Sequence, residues 1–142
     1  MQVPASHLAL IALLASASAA AYDPIVLSRG WERVDHVESE PCTGEVGSNG
    51  RFFVLSVYGL DPGEPARLTI ANGDMPPIER AVRADTRGKW QDYYVPFRPN
   101  RGDGGFVSAT LASASCRVPL GFSWRRAKGW EEPRAIENAY RR

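Results

Sequence analysis

The sequence predicts an all-β protein, an antiparallel β-sandwich of about seven strands, followed by a short C-terminal helix or frayed tail. Three observations predict it. Val118, Leu120, Phe122 and Trp124 alternate with Arg117, Pro119, Gly121, Ser123 and Arg125, the period of a strand with one buried face. Asp61-Pro62-Gly63-Glu64 and Asp85-Thr86-Arg87-Gly88 place turn chemistry between apolar runs. Two cysteines, Cys42 and Cys116, follow an apparent export leader, so a small β core can be stapled.

The chain has 142 residues. It opens on "MQVPASHLALIALLASASAA", in which an apolar run from Leu8 to Ala15 precedes small residues, the pattern of a secretory signal peptide cut near Ala20 or Ala21. The run falls short of the about 20 apolar residues a membrane-spanning helix needs, and no second such run follows, so no membrane span is expected in the mature chain. What remains suffices for one domain with a single core. The expected location is the periplasm or the cell exterior, where Cys42 and Cys116 would pair. A bridge across so long a loop stabilises by about 4 kcal/mol in the chain-entropy account.

The formal net charge is +1, too small a field to gather nucleic acid. The acids gather toward the start, with Asp23, Glu32, Asp35, Glu38, Glu40 and Glu45, and the bases toward the end from Arg125 onward. Two solvated ends account for that asymmetry.

Element by element, "PIVLSRGWERV" supplies a first strand and "PCTGEVGSNG" reads as loop, so residues 21–50 form an N-terminal strand and loop segment ahead of a sandwich over 51–126. In "RFFVLSVYGL" Phe53, Leu55 and Val57 share one face and Phe52, Val54 and Tyr58 the other; with both faces apolar the strand is central or covered. Pro62 presets φ and Gly63 accepts the positive φ of a type II turn. "ARLTIANG" then puts Leu68 and Ile70 on one side, and Pro76-Pro77 ends it.

"IERAVRA" fits helical spacing in isolation, but Asp85 and Gly88 just beyond it suit a three-residue hairpin loop, so a strand is expected. The second arm, "KWQDYYVPF", would align Tyr93, Val95 and Phe97 on one face with Trp90 opposite, and a bulge near Gln91 or Asp92 would reconcile them. "RPNRGDGG", 98–105, is a glycine-rich loop, "FVSATLASA" a strand with Val107, Ala109 and Leu111 inward, and Trp124 a core anchor. The tail, 127–142, could hold a helix from Pro133 that packs Ile136 and Tyr140 on the sandwich.

Leu55-Ser56-Val57-Tyr58-Gly59-Leu60-Asp61-Pro62-Gly63-Glu64, "VRADTRGKW" and "VPF" together resemble the bacterial immunoglobulin-like domains of secreted and surface proteins. The likeness covers about residues 51–124 and departs at Val57, Leu60 and the cysteine pair. It implies two packed antiparallel sheets. Nothing places Cys42 and Cys116 on facing central strands, so an inter-sheet bridge of the antibody kind is not carried over. Function does not come with the scaffold.

Chemistry is sparse. No G-x-S-x-G occurs, and His36, the one histidine outside the leader, has no marked nucleophile. One histidine and two paired cysteines leave a metal short of ligands, and Asp61, Asp74, Asp85 and Asp103 lie on four separate loops. No cofactor and no catalytic residue is expected. Arg101-Gly102-Asp103 lies in the glycine-rich loop, and aromatics such as Trp31, Tyr93 and Trp130 could stack on sugars or peptides. The candidate binding surface is therefore Trp31, Tyr93, Arg101, Asp103 and Trp130. The expected role is a non-catalytic binding or structural domain of the cell envelope, with another envelope protein or a glycan as partner. Two alternatives are a small envelope hydrolase using acidic side chains such as Glu38 and Glu40, and a secreted inhibitor presenting loop 98–105.

Overall fold

The structure, a computed structural model, describes residues 30–126; the expected leader, the start of the first expected strand, Trp130 and the tail with its expected helix lie outside the described residues. Eight strands are described: β1 (Glu32–Ser39), β2 (Cys42–Ser48), β3 (Phe53–Tyr58), β4 (Pro65–Asn72), β5 (Ile78–Arg83), β6 (Trp90–Tyr94), β7 (Gly104–Ser113) and β8 (Arg117–Arg125). They form two four-stranded antiparallel sheets in the orders β1-β2-β3-β6 and β5-β4-β7-β8.

Alternation decides which side chains meet between the sheets. Leu55 and Val57 of β3, Leu68 and Ile70 of β4, Val107, Ala109 and Leu111 of β7 and Val118, Leu120, Phe122 and Trp124 of β8 are all buried there, as their spacing requires. Phe53 stacks on Phe122 at 4.0 Å between ring centroids, and Tyr94 meets the same ring edge-on at 6.1 Å. β3 is paired on both edges, by β2 and β6, and side chains on both of its faces are buried.

Residues 42–48, expected as loop, form the inner strand β2. Gly44 is why the segment reads as loop and why it packs as strand. A methyl group there would overlap Val118 Cγ1 and stand 3.0 Å from Leu120 Cδ2, so only glycine lets this sheet lie so close to β8.

Both expected turns form. Glu64 N–H donates to the Asp61 carbonyl at 3.0 Å with Gly63 at φ 71°, and Gly88 N–H donates to the Asp85 carbonyl at 3.1 Å with Gly88 at φ 75°. The second turn is not a hairpin, however. β5 belongs to one sheet and β6 to the other, so Asp85–Gly88 carries the chain across the sandwich.

The bulge expected near Gln91 is absent, and β6 pairs with β3 in unbroken register. Trp90 and Tyr94 face the core, while Tyr93 faces outward. The misphasing came from extending the strand through Val95 and Phe97: β6 ends at Tyr94, and Arg98 N–H closes a turn on the Val95 carbonyl at 3.2 Å. Gly104 and Gly105, placed in the loop from sequence, open β7.

The open sides of the sandwich are tied by polar groups. On one, the Asp35 carboxylate accepts Gly121 N–H of β8 at 2.8 Å and Ser39 Oγ donates to the Arg117 carbonyl at 2.7 Å, which blunts two edge strands. On the other, Arg80 of β5 meets Asp92 of β6 at 3.4 Å. Cys42 and Cys116 form a disulfide with Cα atoms 6.2 Å apart. It joins the first residue of β2 to the turn before β8, so it does link the two sheets, at one end rather than between central strands.

Candidate functional site

At the end of the sandwich that carries the disulfide, three loops meet beside the β1–β2 turn: 59–64, 84–89 and 114–116. One carboxylate holds two of them together. Glu64 Oε2 accepts Asp61 N–H at 2.8 Å and the Ser115 hydroxyl at 2.8 Å, while Oε1 accepts Ser115 N–H at 2.9 Å. Three backbone hydrogen bonds tie in the third, Leu60 N–H to Gly88, Gly63 N–H to Asp85 and Ala84 N–H to Glu64 at 2.9–3.1 Å, and Asp85 N–H to Lys89 at 2.8 Å closes that loop on itself.

These donors favour the charged form of Glu64. Its pKa is lowered to about 2, chiefly by the Asp61 N–H, against opposition from burial and with help from Ser115 and Ser113. Gly88 is confined as well as left-handed, since a side chain would strike the Leu60 carbonyl. The loops are thus fixed relative to one another before any ligand arrives.

Between these loops and the start of β6 lies a cleft of about 330 Å³, lined by Arg83, Asp85, Arg87, Lys89, Trp90 and Gln91. Asp85 Oδ1 accepts the N–H groups of Arg87 and Lys89 at 2.8 and 2.9 Å. Those donors, the Lys89 N–H first, lower the Asp85 pKa. Asp85 is therefore committed to the turn as a carboxylate. Lys89 Nζ sits 5.1 Å from the centre of the Tyr58 ring, and Arg83 donates to the Gly63 carbonyl at 2.6 Å.

The residues singled out from sequence lie elsewhere. Trp31 and Tyr93 come together, with ring centroids 6.5 Å apart and planes at 59°. Tyr93 stands on the outward side of β6 and is 61% exposed. Beside it on that face, Ser56 Oγ donates to Gln91 Oε1 at 3.3 Å, and Arg33 Nε meets the fully buried Glu45 carboxylate at 3.2 Å.

Arg101 and Asp103 are exposed on the loop at the opposite end of the sandwich from the disulfide. Arg126 holds that loop, donating to the carbonyls of Phe97, Asn100 and Gly102 at 3.1–3.3 Å. Beneath it Asn72 is a buried hub. Its Nδ2 donates to the Tyr94 hydroxyl at 3.0 Å and the Pro96 carbonyl at 2.9 Å, and its Oδ1 accepts Trp124 Nε1–H at 3.2 Å and Asn100 Nδ2–H at 3.2 Å.

Glu38 and Glu40 are exposed. Asp61 and Asp85 belong to the disulfide end, Asp74 and Asp103 to the opposite one. Among the described residues no group of three or more His, Cys, Asp or Glu side chains could hold a metal ion. Also among them, no helix is long and apolar enough to cross a membrane. Sequence reading missed the Glu64 anchor and the cleft. Glu64 carried a signal only as the last residue of a turn, and its partner Ser115 lies 51 residues away.

No family model matches the chain, and no curated protein matches it. Among solved structures it is similar to "X-ray structure of Northeast Structural Genomics Consortium target SoR45", at 10% identity over 70% of this chain and 84% of that chain, with a TM-score of 0.29. A likeness at that level carries no argument about fold or function.

Proposed function

We propose that the chain is an exported immunoglobulin-like domain that binds, without catalysis, another envelope protein or a glycan. The strand order supports the immunoglobulin-like assignment. With β1 set aside as an added edge, β2-β3-β6 follows the order A-B-E and β4-β7-β8 the order C-F-G of that sandwich, with β5 in the place of C′. In that assignment loops 59–64 and 114–116 are the B–C and F–G loops, which share one end of the domain.

The observation that carries the binding reading is the Trp31–Tyr93 pair. A tyrosine 61% exposed on a sheet face, held against a tilted tryptophan ring, offers an amphipathic surface at small conformational cost. Separated acids, with Glu64 and Asp85 engaged by backbone N–H groups, favour binding over the acidic hydrolase. A glycan array and a pull-down from envelope extract test it, each run with the native chain and with Tyr93→Ala. The reading expects a ligand that Tyr93→Ala loses by about tenfold or more; equal retention by both proteins contradicts it.

A second reading has its own support. Arg101 is exposed on a loop that Arg126 and Asn100 hold in one shape, the preorganisation an inhibitor loop needs. Under it, Arg101→Ala abolishes association with a target enzyme while the urea midpoint stays unchanged.

A further inference from the structure

We infer that the cleft at the three-loop end binds an oxyanion, a phosphate or carboxylate group carried by a small ligand. This site borders the Trp31–Tyr93 surface at Gln91 but does not depend on that surface binding anything.

Three cations, Arg83, Arg87 and Lys89, line one cleft with a single carboxylate, Asp85. Elsewhere on the same sheet Arg67 and Arg80 each have a carboxylate, at 3.3 and 3.4 Å. Arg83, Arg87 and Lys89 are in no ion pair among the described residues. Asp85, held in the turn through its Oδ1, attracts Arg87 and Lys89 and offsets one of the three charges, so the cleft keeps an excess of positive charge. A cluster of like charges repels itself, and a bound anion removes that repulsion.

The geometry supplies more than charge. Arg83 is anchored through the Gly63 carbonyl at 2.6 Å with further guanidinium donors left, and Lys89 is steadied over the Tyr58 ring. Arg87 is exposed and carries a planar fork suited to two oxygens. Gln91 adds an amide donor from the start of β6. The loop bearing Arg87 and Lys89 is pinned to loop 59–64 by backbone bonds, so little backbone ordering cost remains at binding. A volume of about 330 Å³ is at the lower end for small-molecule sites and suits one anionic group on a body of about a single sugar ring.

Residue-resolved NMR titration of the full chain tests the inference, with inorganic phosphate and glucuronate as separate probes and ionic strength held constant with chloride. Saturable shifts are expected at the amides of Arg87, Lys89 and Gln91. Arg87→Gln with Lys89→Gln weakens them by about tenfold or more, and Arg101→Gln, at the other end, leaves them unchanged. Tighter phosphate points to a free oxyanion, and tighter glucuronate to a carboxylate on a saccharide; either supports the site. Shifts that never saturate, that chloride alone reproduces, or that survive the double substitution overturn it. Should the double variant not give a folded spectrum, Arg87→Gln alone provides the comparison.

Discussion

Glu64 is buried, charged and matched by donors from two loops, so its environment ties stability to pH. Its pKa lies at about 2 in the fold, below an ordinary value of 4.5. The unfolded chain therefore takes up the proton first as pH falls. The stabilisation is complete above about pH 4.5 and is lost as pH drops toward 2. Urea midpoints followed from pH 7 to 2 should fall in the native protein by more than in Glu64→Gln, which has no carboxylate to lose. Asn72 is the counterpart at the other end. Asn72→Ala strands Trp124 Nε1–H, a buried donor, and should cost about 1–3 kcal/mol by urea denaturation. Neither hub was legible in the sequence. Both residues sit at turns, where Asn and Glu need no further explanation, and their partners are 51 and 52 residues away.

Among the elements, β3, β4, β7 and β8 were legible because alternation is written locally, in residues two apart. β2 was not. Its inward positions are Cys42, Gly44, Val46 and Ser48, and a glycine chosen for close sheet packing cannot be told from a loop glycine without the facing strand. Gly44→Val should destabilise by about 1–3 kcal/mol, because the new methyls meet Val118 and Leu120; a urea midpoint equal to that of the native protein would place β2 elsewhere. The Asp85–Gly88 turn shows the complementary limit. Its shape was readable from Asp and Gly spacing, yet whether its arms pair or part into two sheets depends on long-range packing. At the site, the same limit applies. Trp31 and Tyr93 stood out as aromatics without a core position, whereas Arg83, Arg87 and Lys89 became a group only when the crossing turn folded them around one cleft.

For the whole molecule, the disulfide, the Glu64 anchor and the crossing turn act at one end, while Arg126 and Asn72 secure the other. Cys42 and Cys116 are 74 residues apart in sequence, and Cys42→Ser with Cys116→Ser should lower stability by about 4 kcal/mol, read as a shift of the urea midpoint. The chain is thus a stapled pair of sheets that presents fixed loops. Residue-resolved amide hydrogen exchange at neutral pH tests this most directly. The N–H groups of Asp61 and Ser115, both bound to Glu64, should exchange far more slowly than exposed loop amides and lose that protection in Glu64→Ala, which has no acceptor. Exchange of both at the rate of an unprotected loop in the native protein would contradict the account.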